Sequence, residues 1–239
     1  TETAPRFTVP RTGCKVERMD RRLFLVSASA AAATSQAWAG ANDRVRLAII
    51  GVGSRGTAHI GEILPGNNVE IATLVDPDGR RTEEAAGVIA KKTGKRPKLE
   101  SDMRRVFDDK NIDAVTIATT NHWHTLTAIW AMQAGKDVYV EKPVSHNVWE
   151  GTKLVEAARK HNRIAAGGTQ RRWWGRFRKA IELVHAGTIG DIYQANFVFP
   201  GSRDSIGFKE TKAPPAWLNW DLWVGPAPMQ PYHENLVHY

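Results

Sequence analysis

Residues 45–76 read VRLAIIGVGSRGTAHIGEILPGNNVEIATLVD, and the rest of the chain is interpreted from this stretch. The first six residues are apolar apart from one arginine, and they predict a buried strand. The pattern GVGSRG follows without a spacer, then a short helical pattern and a second apolar run that ends in Asp76. A strand, a Gly-x-Gly-x-x-Gly turn, a helix, a strand and an acid are together typical of one half of a dinucleotide site.

Each glycine of the turn has its own task in such a site. Gly51 would allow the tight turn, Gly53 would let the backbone approach a pyrophosphate, and Gly56 would let the helix lie close to the strand. The phosphates would lie on the unpaired N–H groups at the positive end of that helix. Ser54 and Arg55 complete the turn, so all five residues are assigned to cofactor binding. Glycines also mark ordinary turns, and the assignment depends on the strand, helix and acid around them.

The acid at the end of the second strand indicates which dinucleotide is bound. The Asp76 carboxylate can accept hydrogen bonds from both ribose hydroxyls of an adenosine, and it would repel a 2′-phosphate. NAD is therefore favoured over NADP. Arg80 and Arg81 follow closely and keep NADP as an alternative, unless they belong to a solvated first turn of the next helix.

Length, composition and charge are ordinary for a soluble globular protein. The chain has 239 residues, of which 42% are hydrophobic and 24% charged, and no apolar run has the length of a membrane span. Residues 1–39 carry a surplus of three positive charges out of the formal +8, so the remainder keeps +5. Such a charge could attract nucleic acid or an anionic substrate. Lysines and acids interleave, however, and without a recognition motif no nucleic-acid partner is expected.

The N-terminal region, residues 1–40, resembles a twin-arginine export signal. Residues 20–25 read DRRLFL, an alanine-rich apolar run follows, and residues 37–39 read AWA, a small-x-small cleavage pattern. We expect a periplasmic or otherwise exported protein, or a cytoplasmic one if the signal does not function. The alternative, an alanine-rich amphipathic helix, lacks a polar face.

Met19 lies where an initiator is expected, so residues 1–18 are interpreted as an upstream extension. Cys14, the one cysteine of the chain, lies in that extension. A mature chain beginning at Gly40 would contain no thiol, which excludes a disulfide, a cysteine nucleophile and a Cys-ligated zinc.

The chain after Asp76 continues to alternate strand and helix patterns. Residues 113–118 and 137–140 are continuous apolar strands, as in a parallel sheet covered on both faces. This alternation predicts an α/β fold, a Rossmann-type doubly wound parallel sheet, over residues 41–168. Residues 189–199 instead alternate apolar and polar side chains, which is typical of a half-exposed antiparallel strand. Residues 169–239 therefore read as the beginning of an α+β second domain with an antiparallel sheet, for substrate binding and oligomerisation.

Three predicted strand ends converge at the carboxyl edge of this sheet: the glycine turn, TTNHWH at residues 119–124, and EKP at residues 141–143. Ligands bind at this edge in open α/β sheets. Lys142 is the candidate catalytic residue. A nearby positively charged nicotinamide and partial desolvation would both favour loss of its proton, which suits a general acid/base near neutral pH. The alternative is a surface lysine after a strand.

The motifs GVGSRG, TTNHWH and EKPV, in this order and spacing, resemble those of the Gfo/Idh/MocA family of NAD(P)-dependent oxidoreductases, which act mostly on sugars, inositols and related polyols. The resemblance covers residues 46–199. It implies that Lys142 is catalytic or substrate-orienting and that Glu141 and Lys142 line the nicotinamide end. It also implies that Asn121 and His124 contact the cofactor or active site, and we place Thr119 beside them.

The sequence departs from the family pattern at two places. Thr120 stands where the family usually has proline, which removes no functional group. The family also takes an Asp and a His one helical turn apart from its second domain, and no Asp-x-x-x-His occurs here. We therefore expect either a truncated gene product or an incomplete catalytic set. A homo-oligomer is expected only if the second domain is completed.

Two other functions compete with hydride transfer to a carbohydrate-like alcohol. Some relatives use tightly held NAD for glycoside cleavage through transient oxidation, but they tend to lack the lysine that Lys142 matches. The other alternative is an NAD-binding module without catalysis.

Three further groups of residues have two interpretations each. Arg171, Arg172 and Trp173 could bind substrate, or they could be an exposed basic helix start. His122 and His124 could form a metal pair, but no third ligand lies nearby and no metal is expected. Trp217, Trp220 and Trp223 could stack on sugar rings, or they could anchor the C-terminal segment against the sheet domain.

Overall fold

The computed structural model describes residues 44–66, 68–198, 201 and 204–237. The predicted export signal, with Cys14 and Met19, lies outside the described residues. The side chain of Trp173 also lies outside them. No helix in the described ranges has the length and apolar character needed to cross a membrane.

The core is a parallel sheet of six strands, and it confirms the predicted doubly wound fold. The strands are β1 (Val45–Ile50), β2 (Val69–Val75), β3 (Lys98–Glu100), β4 (Ala114–Ile117), β5 (Asp137–Glu141) and β6 (Ala165–Gly168). Their order across the sheet is β3-β2-β1-β4-β5-β6, and every pairing is parallel. The helices between them are α1 (Ser54–Ile63), α2 (Gly79–Thr93), α3 (Arg104–Asp108), α4 (His124–Gln133) and α5 (Val148–His161).

Two apolar clusters cover the two faces of the sheet. Neighbouring residues of β1 point to opposite faces, so Ile49 belongs to one cluster and Ile50 to the other. The Ile49 cluster packs against α1 and α2, whereas the Ile50 cluster includes Met132 of α4 and Leu154 of α5. Burial on both faces is the reason that β1 and β4 read as continuous apolar runs.

The region after the sheet differs from the prediction. A 3₁₀ turn (Gln170–Trp173) and helix α6 (Gly175–His185) follow β6, and no side chain of α6 is buried. The predicted antiparallel strand is not formed, because residues 189–198 have no regular secondary structure and are exposed. An alternating segment gains its hydrogen bonds only from a neighbouring strand, and none pairs with it among the described residues.

The C-terminal segment, residues 217–237, is ordered locally. It contains helix α7 (Trp220–Val224) and a 3₁₀ turn (Glu234–Leu236). Leu218, Tyr232 and Val237 form a small apolar cluster of their own. The segment therefore folds as a compact unit against the edge of the sheet.

Candidate active site

A cleft of about 970 Å³ lies at the carboxyl edge of the sheet. Its wall contains Gly51 after β1, Asp76 after β2, Thr119 and Asn121 after β4, and Lys142 after β5. The strand order changes direction between β1 and β4, and in open α/β sheets such a switch point is the usual ligand site. The structure thus brings together the strand ends on which the sequence placed the chemistry.

Packing requires two of the three glycines of the turn. Gly51 has φ +87°, and a Cβ atom there would lie 2.5 Å from the carbonyl oxygen of Ala118. A Cβ atom at Gly56 would overlap the carbonyl oxygen of Gly51. Both the tight turn and the close approach of α1 to the strand therefore exclude a side chain at these positions.

Gly53 is different, because no atom of the described residues requires a glycine there. A Cβ atom at Gly53 would meet nothing within 4 Å, and its φ of −68° and ψ of −163° suit any residue. The residue lines the cleft at the N-cap of α1, together with Ser54 and Arg55. The first-turn N–H groups of a helix have no carbonyl partner within the helix, so this surface fits a pyrophosphate that approaches the backbone.

Asp76 is held beside the glycine turn. One carboxylate oxygen, Oδ2, accepts a hydrogen bond of 2.7 Å from the Val52 N–H, and Oδ1 accepts one of 2.9 Å from the Asp78 N–H. The carboxylate is buried and forms part of the cleft wall. Its orientation relative to the turn is therefore fixed before any ligand binds.

The two arginines after β2 have separate environments. Arg80 donates to the Asp78 carboxylate at 3.0 Å and 2.9 Å, and its guanidinium lies 3.3 Å from the ring centroid of Trp217. Arg81 instead lines the cleft. Arg80 therefore serves in attaching the C-terminal segment, and Arg81 is the arginine nearer to a ligand.

Glu141 lies behind the cleft wall and holds the backbone of Lys142. Its Oε1 accepts hydrogen bonds from Arg55 Nε at 2.7 Å and from His59 Nε2 at 3.0 Å, and Oε2 accepts one from the Lys142 N–H at 3.1 Å. Burial alone would raise the pKa of Glu141, but the hydrogen bonds from Arg55 and His59 outweigh it and hold the pKa below its ordinary value. Glu141 thus ties helix α1 to the backbone of Lys142.

His59 belongs to none of the motifs recognised in the sequence. It is buried, and its Nδ1 has no hydrogen-bond partner among the described residues. The spacing of Arg55 and His59 could have indicated their shared role beside Glu141. The two residues are four positions apart, so they lie on one face of α1.

Lys142 is an exposed lysine of the cleft wall and directly follows Glu141. Its backbone is fixed by Glu141 on one side, and the carbonyl oxygen of Pro143 on the other side lies 2.6 Å from His124 Nδ1. The lysine side chain is therefore exposed at the cleft, and the backbone that carries it is held on both sides.

His124, predicted as a cofactor ligand, is placed behind the wall. It is buried, and its two ring nitrogens lie 2.6 Å from the Pro143 carbonyl oxygen and 3.1 Å from that of Thr119. His124 thus joins the loop that carries Thr119 to the loop that carries Lys142. Its position is that of a residue that orients the site from behind.

The structure does not bring the predicted substrate arginines into the cleft. Arg171 and Arg172 are exposed, and Arg171 lies 5.7 Å from the ring centroid of Trp174. Neither belongs to the cleft wall. Among the described residues, no group of three or more His, Cys, Asp or Glu side chains is placed to hold a metal ion. His122, of the pair considered for a metal, lies 3.3 Å from the carbonyl oxygen of Trp223.

The C-terminal segment forms a wall of the cleft that the sequence analysis did not assign. Its cleft-lining residues are Asp221, Leu222, Trp223, Gly225, Pro226 and Leu236. The spacing of the three tryptophans was the only signal for this role. Trp217 contacts Arg80 of the sheet domain, which supports the anchoring interpretation for that residue.

The lowered pKa of the Glu141 carboxylate should make the stability of the fold depend on pH. Because its folded pKa lies below the ordinary value of 4.5, its stabilising effect is fully present above about pH 4.5 and is lost as the pH falls through the folded pKa. Glu141→Gln should lower the free energy of unfolding at pH 7 by about 1 kcal/mol, since Arg55 is partly exposed and its pairing is screened. The variant should also lose less stability on acidification than the wild type does. Urea unfolding at several pH values measures both effects, and parallel curves for the two proteins would contradict the assignment.

Comparison with known proteins agrees with this geometry. The sequence model of the Gfo/Idh/MocA family, described as an oxidoreductase family with an NAD-binding Rossmann fold, matches residues 45–169. A myo-inositol 2-dehydrogenase from Thermotoga maritima is 30% identical over 146 residues, which cover 61% of this chain and 42% of that protein. A glycosyl hydrolase family 109 protein from Akkermansia muciniphila is 30% identical over 158 residues, which cover 63% of this chain and 32% of that protein.

A solved structure shows the same architecture. The crystal structure of myo-inositol 2-dehydrogenase from Lactobacillus plantarum matches with a TM-score of 0.57 at 28% identity, covering 62% of this chain and 43% of that one. The chain thus spans less than half the length of each of these relatives. The family model covers more than half of the chain, and the glycine turn, Asp76 and Lys142 all lie within the matched residues. The chain belongs to the Gfo/Idh/MocA family of oxidoreductases with an NAD-binding Rossmann fold.

Proposed function

We propose that this protein transfers a hydride between NAD and a hydroxyl-bearing carbon of an inositol, sugar or similar polyol. The observation that carries the proposal is the cleft itself. Gly53, which no protein contact requires to be glycine, lines the same cleft as Asp76 and Lys142. A dinucleotide would account for all three positions. The inositol dehydrogenases among the relatives support the substrate class.

The described residues divide the binding task along the cleft. Asp76 accepts the ribose hydroxyls of the adenosine, and the first-turn N–H groups of α1 receive the pyrophosphate. NAD supplies the hydride acceptor or donor when it is bound. In alcohol oxidation the substrate hydroxyl also loses a proton, and Lys142 Nζ accepts it when the lysine is in its neutral amine form. Glu141 and His124 hold the backbone on which Lys142 is carried.

The proposal includes a preference for NAD over NADP. A 2′-phosphate would lie beside the Asp76 carboxylate, which repels it. Arg80 is paired with Asp78 and stacked on Trp217, so it is not directed toward such a phosphate. Arg81 and Arg104 line the cleft near β2 and β3.

Gly53→Ala tests the cofactor site directly. The added methyl group meets no protein atom, so the fold should persist, with at most a small loss because alanine is a weaker N-cap than glycine. The affinity for NAD should fall at least about ten-fold, because the backbone can no longer approach the pyrophosphate. Isothermal titration calorimetry with NAD and NADP measures the loss and the preference together.

Gly61→Ala is the matched control, since Gly61 lies in the same helix, has no neighbour within 4 Å and is outside the cleft wall. It should bind NAD like the wild type. An unchanged NAD affinity in Gly53→Ala, or a wild type that binds neither dinucleotide, would refute the proposed site. Appearance of NADH with a panel of inositols and sugars then identifies the substrate.

A second candidate function is glycoside cleavage through transient oxidation by bound NAD. The observation in its favour is the similarity to glycosyl hydrolase family 109 proteins. Hydrolysis of an aryl glycoside without net NADH would establish this function and exclude the first. Net NADH formation without hydrolysis would do the reverse.

Export and the partner complete the proposal. The pattern DRRLFL at residues 20–25, followed by an apolar run, supports export through a twin-arginine route. The proposed partner is a small carbohydrate or polyol.

A further inference from the structure

The C-terminal segment is attached to the loop that follows β2. The Asn219 N–H donates to the carbonyl oxygen of Pro77 at 2.9 Å, and the Gly79 N–H donates to that of Trp217 at 3.4 Å. Asp78 and Leu218 also form an antiparallel bridge. These contacts begin at the residue directly after Asp76, so the segment is joined to the ribose-binding end of the cleft.

The same segment is attached a second time, after β4. Trp123 Nε1 donates to the carbonyl oxygen of Leu222 at 3.1 Å, and His122 Nε2 lies 3.3 Å from that of Trp223. A Cβ atom at Gly225 would overlap the Trp123 ring, and Gly225 has φ +53°. The backbone of the segment therefore fits closely against Trp123.

Internal contacts hold the wall in shape between these attachments. The rings of Trp220 and Trp223 stack with centroids 4.9 Å apart and an interplanar angle of 11°. Trp220 Nε1 donates to the carbonyl oxygen of Gln230 at 3.0 Å, and its ring meets the edge of Tyr232. Trp223 is thus supported from behind while it contributes to the cleft wall.

The position of this wall indicates which half of a dinucleotide it would meet. The strand ends along the carboxyl edge follow the order β3, β2, β1, β4, β5. Lys142 follows β5 and marks the reactive end, whereas Asp76 follows β2. The attachments after β2 and β4 place the segment over the part of the cleft on the Asp76 side of Lys142.

The lining chemistry on this side suits a flat, uncharged ring. The sheet domain contributes Met103, Trp123, Leu126 and Trp130 to the cleft, and the C-terminal segment contributes Leu222, Trp223 and Leu236. The same lining also contains the polar residues Ser101, Asp102, Arg104 and Asp221. Apolar and aromatic surfaces on both sides of the cleft suit a heteroaromatic base, and the polar residues between them suit its ring nitrogens and ribose.

We propose that the C-terminal segment closes an adenine subsite and that Trp223 contacts the adenine ring of the bound dinucleotide. This inference rests on the proposed function, because it concerns the adenosine half of the same dinucleotide. The residues that it assigns to that half lie far from the glycine turn in the sequence. Base–aromatic contacts tolerate substitution by another aromatic ring and are lost with an aliphatic one.

The test compares Trp223→Leu with Trp223→Phe in the full chain, with NAD and ADP-ribose as ligands in calorimetric titrations. Trp223→Leu keeps apolar bulk, so the chain should stay folded, and its thermal unfolding is recorded to check this. We expect it to lose about ten-fold in affinity for NAD and the same factor for ADP-ribose, which keeps the adenosine and the pyrophosphate and lacks only the nicotinamide. Trp223→Phe should stay within about three-fold of the wild type. Trp149→Leu, at an exposed tryptophan of α5 outside the cleft, is the matched control and should bind like the wild type.

Three outcomes would overturn the inference. Wild-type affinities in Trp223→Leu would exclude the contact and leave the proposed function intact. A loss confined to NAD, with ADP-ribose binding unchanged, would place Trp223 at the nicotinamide half. A wild type that binds neither ligand would remove both the inference and the proposed function.

Discussion

Replacing Lys142 by alanine is expected to lower turnover about 10²- to 10⁴-fold, the usual contribution of a positioned general acid/base. The lysine is exposed within the cleft, and its backbone is fixed by Glu141. The side chain therefore contributes a nitrogen to the reacting end without holding the fold together. NAD affinity should change by less than about three-fold, because the phosphates and adenosine are held elsewhere. NADH absorbance measures turnover with the substrate found in the inositol and sugar panel, and calorimetry measures NAD affinity.

Two further variants separate proton transfer from charge. Lys142→Arg keeps a cation in the cleft but cannot release a proton near neutral pH, so it should remain as inactive as the alanine variant. Lys153→Ala removes an exposed lysine of α5, which pairs with Glu156, and should leave turnover unchanged. Substantial activity in Lys142→Arg would indicate that the charge, and not the proton, is what the site requires. Full activity in Lys142→Ala would remove the residue from the mechanism.

The sheet could be predicted from the sequence because its signals are local. The apolar run of β1, the glycine turn and Asp76 lie within 32 consecutive residues, and each has a separate physical reason. Gly51 and Gly56 are glycines because the chain packs against itself at these positions, whereas no contact among the described residues requires a glycine at position 53. The motif predicts these separate tasks, and the structure shows the backbone contacts that account for Gly51 and Gly56.

The roles of Glu141 and His124 behind the cleft wall could not be predicted from the sequence, because they depend on tertiary contacts. The motifs predict that Glu141 and His124 contact the cofactor. A motif gives the type and spacing of residues, but it does not give the direction in which a side chain points. In the structure Glu141 bonds to Arg55 and His59, and His124 spans the loops of Thr119 and Pro143. Both residues therefore act on the cleft through their neighbours.

Two features after the sheet show the same limit. Residues 189–198 have the alternation of a strand, but a strand forms only with a partner, and alternation does not supply one. The C-terminal wall was visible only as a tryptophan spacing. Its two attachments join Leu222 to Trp123 and Asn219 to Pro77, which lie 99 and 142 residues apart. No short-range pattern records such a pairing.

The second large effect is expected for Gly56→Ala, which places a methyl group where the carbonyl oxygen of Gly51 lies. That oxygen cannot yield easily, because Gly51 is itself fixed at φ +87° against the backbone of Ala118. Helix α1 must then move away from β1, and overpacking of this kind costs about 1–3 kcal/mol or more. A loss of that size corresponds to a fall in melting temperature of roughly 2–4 °C per kcal/mol for a domain of this size.

Gly56→Ala should also weaken NAD binding, because the displaced helix carries the N–H groups that receive the pyrophosphate. Gly61→Ala adds the same methyl group to the same helix where nothing lies within 4 Å, so it should leave stability unchanged or raise it by up to about 1 kcal/mol. Both variants replace a glycine of helix α1 by alanine, so the effect on helix propensity is similar. Only the methyl group at position 56 meets the backbone that follows β1, so a difference in stability between the two variants measures that contact. Urea unfolding and NAD titration of both variants measure the effects. Equal stability of the two alanine variants would show that α1 lies farther from the strand than the structure places it, and the pyrophosphate site built on that contact would have to be abandoned.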